Sequence, residues 1–190
     1  MARKGEGRLR IIAGRFRGRR LAFPPLPGLR PTPDRVRETL FSWLAPHLPG
    51  ARCLDLFAGS GALGFEALSR GAKEVIFVER HPKAAARLRE NIALLGVEDR
   101  ARVYAMDALD FLRRLPPEPF DIAFLDPPYG ERGLLERAAR LLEERGWLAP
   151  GALIYVEASS HAPSPALPEA WEAFRHRRAG EVDFSLWRRP

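Results

Sequence analysis

Cysteine is almost missing from this chain of 190 residues: Cys53 stands alone, so no disulfide can close within the chain and no cysteine-based metal site can form. Its setting, A-R-C-L-D-L, is that of a small buried apolar residue rather than a nucleophile. The four histidines, His47, His81, His161 and His176, have no metal spacing and complete no nucleophilic triad, so no metal is expected. Glutamine is absent, Asn91 is the one asparagine, and lysine occurs only at Lys4, Lys73 and Lys83. Few amides beside 18 prolines are what either heat adaptation or a biased nucleotide composition produces. No apolar run approaches the roughly 20 residues of a membrane span. The basic N-terminus is not followed by a hydrophobic segment, so neither export nor anchoring is expected and a cytoplasmic location is.

What is present is unevenly distributed. The length suits one domain with a substantial core. The formal charge of +7 resides at one end: residues 1–30 hold nine Lys or Arg against one acid, and the remaining residues hold 22 basic against 23 acidic groups. A basic arm (1–30) on a nearly neutral domain (31–190) implies a polyanionic partner. Residues 10–13 (R-I-I-A) and 19–23 (R-R-L-A-F) flank the glycines at 14 and 18 and predict a β-hairpin. Its turn would display Arg15, Arg17, Arg19 and Arg20, with Phe16 among them as a stacking group for RNA. A proline-rich connector over 24–33 follows. Thr32 then caps, and Pro33 opens, a helix over 34–48 with Val36, Leu40, Trp43 and Leu44 as its apolar stripe.

From residue 51 strands and helices alternate, which predicts an α/β fold, a mostly parallel doubly wound sheet of Rossmann-like type. Strands are expected over 53–57, 74–78, 102–105, 120–125 and 152–157, and helices over 63–69, 82–95 and 133–144. Residues 171–178 and 181–188 fit either a helix or a strand pair.

Two motifs sit where strands run out, the place at which open α/β sheets bind ligands. Gly59, Gly61 and Gly64 form G-x-G-x-x-G between a strand and a helix, a turn that fits a dinucleotide or another nucleotide-like cofactor. Asp55, just ahead of it, would repel a pyrophosphate and favour a cation, as S-adenosylmethionine offers with its ammonium and sulfonium groups. Glu79 is placed to accept ribose hydroxyls and Asp107 the adenine amine. Asp126-Pro127-Pro128-Tyr129 ends the next strand: an acid and a free proline carbonyl accept two amine hydrogens, and the tyrosine stacks on the ring that carries them. An ordinary strand-to-loop turn would use the same residue types. Four acids ending four successive strands, at Asp55, Glu79, Asp107 and Asp126, argue against that plain alternative.

The runs D-L-F-A-G-S-G-A-L-G, V-E-R at 78–80 and F-L-D-P-P-Y resemble the class I methyltransferases that act on amines. With R-I-I-A-G at 10–14, R-G-R-R-L at 17–21 and R-P-T-P-D-R-V-R-E-T-L-F from Arg30, the chain is similar to the RsmD family over about residues 8–158. That resemblance implies a seven-stranded methyltransferase sheet with an N-terminal hairpin, and transfer of a methyl group from S-adenosyl-L-methionine to the N2 amine of one guanine in 16S rRNA. It implies a monomer acting on the small ribosomal subunit. Asp126, Pro127, Pro128 and Tyr129 become the catalytic set. Asp55, Phe57, Ala58, Gly59, Ser60, Gly61, Glu79, Arg80, Asp107, Ala108 and Asp126 become the cofactor set. Arg10, Arg15, Phe16, Arg17, Arg19, Arg20, Arg30 and Arg35 become the RNA contacts. Pro33 departs from the threonine expected of relatives. The alternatives are an adenine-N6 methyltransferase, which needs a target-recognition region hard to fit in this length, a non-catalytic RNA-binding protein, which leaves the tetrapeptide unexplained, and an NAD oxidoreductase, which lacks a substrate domain.

Overall fold

A computed structural model describes residues 3–131 and 133–190. A two-stranded antiparallel hairpin, β1 (Gly7–Arg10) and β2 (Arg20–Phe23), precedes helix α1 (Asp34–Leu44) and a short 3-10 turn (Ala45–His47). Then follow β3 (Arg52–Asp55), α2 (Ala62–Ser69), β4 (Glu74–Val78), α3 (Pro82–Leu95), β5 (Ala101–Tyr104), α4 (Ala108–Arg114), β6 (Phe120–Leu125), α5 (Leu134–Glu144), β7 (Leu148–Ser159), β8 (Glu172–Ala179) and β9 (Val182–Arg188). The main sheet has seven strands in the order β5-β4-β3-β6-β7-β9-β8. Its first five are parallel, and β9 and β8 close the edge antiparallel.

The two-residue period of a strand divides the core into two layers. Cys53, Val75, Phe77, Ile122, Phe124, Leu153 and Tyr155 face α1, α2 and α3. Their neighbours Leu54, Ile76, Val78, Ala123, Leu125, Ile154 and Val156 face α4 and α5. Strands buried on both faces read as continuous apolar runs, which is why 74–78 and 120–125 were legible to the residue. The third helix, 82–95, was equally legible, because Pro82 opens it and Gly96 closes it in the left-handed region.

Elsewhere the structure departs from expectation for local reasons. The first hairpin strand lies at Gly7–Arg10 instead of 10–13, because Ile12 and Ala13 donate their N–H groups to the Glu66 carboxylate at 3.0 and 3.1 Å. Helix α1 ends four residues early, where Pro46 enters the 3-10 turn. Thr32 makes no capping bond. Helix α4 was not foreseen, although Asp107 caps it by accepting from the Asp110 N–H and Arg113 and Arg114 complement its C-terminal dipole. The last two segments are the strand pair β8–β9, and β7 extends back through Pro150 and Gly151 at a register irregularity against β6.

The hairpin is docked. Leu9, Ile11, Phe16 and Leu21 belong to the same buried cluster as α1 and α2, so residues 1–30 differ from the rest in charge while sharing its core. Glu66, wholly buried on α2, clamps this junction. It accepts from Ile12, from Ala13, from Arg70 Nε at 2.9 Å and from Arg37 Nη1 at 3.4 Å. Arg37, 1% exposed, also donates to the Thr32 carbonyl, the Arg10 carbonyl and Asp34. Neutralising one member of such a network strands the other's charge. Glu66→Gln is expected to cost about 3–5 kcal/mol, read as a lower urea midpoint with earlier tryptic cleavage of the hairpin. An unchanged midpoint would show that the network does not hold the hairpin.

Candidate active site

The carboxyl ends of β3, β4, β6 and β7 open on one side into a cleft of about 610 Å³, roofed by residues 26–33 of the connector. Asp55 ends β3 and is buried. Its Oδ2 accepts the Gly64 N–H at 3.0 Å, in the first turn of α2. A carboxylate thus occupies the helix N-terminus where a dinucleotide's pyrophosphate would bind, which removes the oxidoreductase alternative on electrostatic grounds. The turn itself requires its glycines. Gly61 caps α2 at φ 83°, and a Cβ there would lie 2.4 Å from Phe65 and 2.7 Å from Leu88. Gly64 lets α2 approach β4 so closely that a Cβ would meet the Phe77 ring at 2.3 Å.

Glu79, just beyond β4, holds the turn from below: Oε2 accepts the Gly59 N–H at 2.7 Å and Oε1 the His81 N–H at 3.0 Å. Each oxygen keeps a second lone pair for a ligand hydroxyl. Asp55, Phe57, Ala58, Gly59, Ser60, Glu79, Arg80, Asp107, Ala108 and Asp126 all line the cleft, while Gly61 lies beneath it as packing. Arg80 is paired with Glu131.

Asp126, Pro127, Pro128 and Tyr129 line the same cleft at the end of β6. Tyr129 is 64% exposed, an aromatic face left open at the rim. The Thr32 hydroxyl, expected as a helix cap, instead donates to Asp126 Oδ2 at 3.4 Å. Glu157 is the site residue that sequence reading missed. Leu125 pairs with Val156 in register, so Asp126 and Glu157 come next on adjacent parallel strands, close enough for each carboxyl to raise the proton affinity of the pair. Glu157 is 6% exposed and accepts from the buried Tyr155 hydroxyl at 2.8 Å. The signal was available, since an acid at the end of a fifth strand extends the series of four.

These acids are short of positive charge. Burial pushes Asp55 up to about 7, against the Gly64 hydrogen bond that lowers it. Burial, then the neighbouring Glu157 and Asp55, push Asp126 well above the carboxylate range, and burial raises Glu157 too. Tyr129 is pushed up to about 12 by partial burial beside Glu157 and Asp126. None of the ion pairs among the described residues reaches Asp55, Asp126 or Glu157. Nor do three metal-ligating side chains come together among those residues. The uncompensated acids therefore favour a positively charged ligand in the cleft.

Of the arginines assigned to RNA, Arg30 lines the cleft, while Arg10, Arg15, Arg17, Arg19, Arg20 and Arg35 are exposed outside it. Phe16 requires correction: it is 7% exposed, packed in the core with its N–H donated to Ser69 Oγ, and so offers no stacking face to RNA. Apolar area outweighs proximity to arginines here, and the Arg15 guanidinium lies 5.2 Å above the ring centre.

A glycine turn under an acidic cleft, D-P-P-Y at the fourth parallel strand and an antiparallel final pair define a class I methyltransferase. A family model described as "Conserved hypothetical protein 95" matches residues 9–188. The chain is 49% identical over 185 residues to "Ribosomal RNA small subunit methyltransferase D" of Escherichia coli (strain K12), covering 97% of this chain and 92% of that one. It is 47% identical over 184 residues to the protein of the same name from Haemophilus influenzae, covering 96% and 94%. The structure "Putative methyltransferase yhhF from Escherichia coli" superposes with a TM-score of 0.89 at 46% identity, over 96% of this chain and 98% of that one. The chain belongs to this family, the RsmD family of methyltransferases. Gly64→Ala is expected to lower stability by about 1–3 kcal/mol through overpacking against Phe77, measured by denaturant unfolding. A neutral effect would show that helix and strand can separate without cost.

Proposed function

We propose that the chain transfers the methyl group of S-adenosyl-L-methionine to the exocyclic N2 amine of a guanine in 16S rRNA. The observation that carries this is the set Asp126, Pro127 and Tyr129 at the end of β6, an acid and a free proline carbonyl beside an exposed tyrosine in the cleft that also holds Asp55 and Glu79. The small-subunit methyltransferase names of relatives with near-complete coverage support the choice of 16S rRNA. The residues present fit the cofactor: Asp55 complements the ammonium group, Glu79 the ribose hydroxyls and Asp107 the adenine amine. Bound there, the cofactor supplies an electrophilic methyl group on a positively charged sulfur.

The chain's own residues then act on the amine. The N2 lone pair of guanine is delocalised into the ring, so it attacks poorly until the nitrogen pyramidalises. Hydrogen bonds from that amine to the Asp126 carboxylate and the Pro127 carbonyl favour this change and stabilise positive charge as it develops on nitrogen. Tyr129 fixes the plane of the base, which must first leave its stack. The prolines keep the acceptor carbonyl free of competing N–H groups. Arg15, Arg17, Arg19 and Arg20, exposed around the hairpin turn, hold the RNA backbone electrostatically. We further infer that the protein works in the cytoplasm, as a monomer, on the assembled small subunit. No helix among the described residues is long and apolar enough to cross a membrane.

Asp126→Ala is expected to abolish transfer while leaving cofactor affinity within severalfold, checked by labelled methyl incorporation beside calorimetry. Normal turnover would overturn the mechanism, and nucleoside mass spectrometry of the product distinguishes guanine N2 from adenine N6. Because the hairpin is part of the core, its role is tested by charge and not by deletion. The double change Arg17→Glu and Arg19→Glu is expected to weaken RNA binding at least tenfold at moderate salt and to flatten its salt dependence, with cofactor affinity unchanged. Equal RNA affinity would assign the arginines to solubility alone.

A further inference from the structure

Glu157 is the one buried carboxylate of the cleft to which the methyl-transfer scheme gives no task. Its position is built, with parallel register setting it beside Asp126 and Tyr155 holding it from the core side. The groups facing the pair are few. Asp55 approaches from β3, Tyr129 from the loop after β6, Tyr155 from β7, and the Thr32 hydroxyl from the connector. Glu181, in the turn between β8 and β9, reaches them only through Tyr129. All of these are acidic or neutral. We propose that Glu157 is a positioning residue of the methyl-transfer reaction, whose charge orients Asp126 and makes it a stronger base for the proton released by the methylated amine.

The step balances. The N2–carbon bond forms as the carbon–sulfur bond breaks, and the bonding pair remains on sulfur, which leaves as a neutral thioether. The nitrogen then gives up one proton to Asp126. That proton is held between Asp126 and Glu157 until it returns to solvent. A lone aspartate at the end of a strand is too weak a base to hold it. A second carboxylate alongside raises its proton affinity, because two adjacent carboxylates resist being ionised together. The Tyr155 hydroxyl supports this by stabilising the Glu157 carboxylate, which keeps the charge beside Asp126. This inference rests on the proposed methyl transfer.

The test is the pH profile of kcat with saturating S-adenosylmethionine and RNA, which reports the groups of the bound complex. In Glu157→Gln the acid limb is expected to move down by about one pH unit, with the plateau roughly tenfold lower. In Tyr155→Phe, where Glu157 takes a proton more readily and loses its charge, the same limb is expected to move down by a smaller amount. Loss of activity in both variants with the limb unmoved assigns Glu157 to structure alone and overturns the proposal. The wild-type protein gives a second measurement that needs neither variant nor turnover. With carboxyl carbons labelled in Asp and Glu, NMR should show Asp126 and Glu157 titrating together, one proton leaving well above the ordinary carboxylate range. Independent titration at ordinary values overturns the proposal. A wild type without methyl transfer but with a coupled pair would refute the reaction and keep the coupling.

Discussion

The charge of Glu66 has no access to water, and the way that charge is met determines how the N-terminal third of the chain is arranged. Arg37 and Arg70 supply the positive charge, and the Ile12 and Ala13 N–H groups complete the shell. Because these donors come from the hairpin, α1 and α2, one carboxylate brings three segments to one point. Arg37 then reaches back to the Thr32 and Arg10 carbonyls. The connector is thereby fixed at its far end, Thr32, to the side chain that also holds β1 at Arg10, and its residues 26–33 lie over the cleft. Surface ion pairs contribute little to stability, but a buried network with every donor engaged strongly penalises any arrangement that breaks it.

The cleft is organised on the opposite principle. Asp55, Asp126 and Glu157 are placed together with no basic side chain paired to them, and burial raises the proton affinity of each. The fold sustains it because the strands carrying these residues are buried on both faces and pack over two hydrophobic layers. A site strained in this way stabilises a positively charged ligand and a nitrogen that becomes positive as it reacts. The same lack of compensation makes the acids respond to one another, so Glu157 changes what Asp126 can do. Function therefore depends on a local instability that the Glu66 network and the sheet together support.

The hairpin illustrates how one segment meets both requirements. Its apolar residues, Phe16 included, enter the core, and its arginines remain outside. Docking makes the basic surface a fixed feature of the molecule, and the connector joins that surface directly to the roof of the cleft. The segment that displays the arginines is continuous with Thr32, whose hydroxyl bonds Asp126.

Much of this was legible in the amino-acid order. Period-two and continuous apolar runs, together with proline and glycine at helix ends, located the parallel strands and α3 because those signals are local. The acids at Asp55, Glu79, Asp107 and Asp126 were legible because a strand's end can be read without knowing its neighbours. What the order of residues left open were the partners: that Phe16 turns inward, that Thr32 bonds Asp126 instead of capping α1, and that residues 171–188 form two strands. Glu157 is the clearest instance, an acid at a strand end like the others, yet informative only when β6 and β7 lie side by side. Adjacency across a parallel pair is set by crossover topology and core packing, and no local pattern carries it.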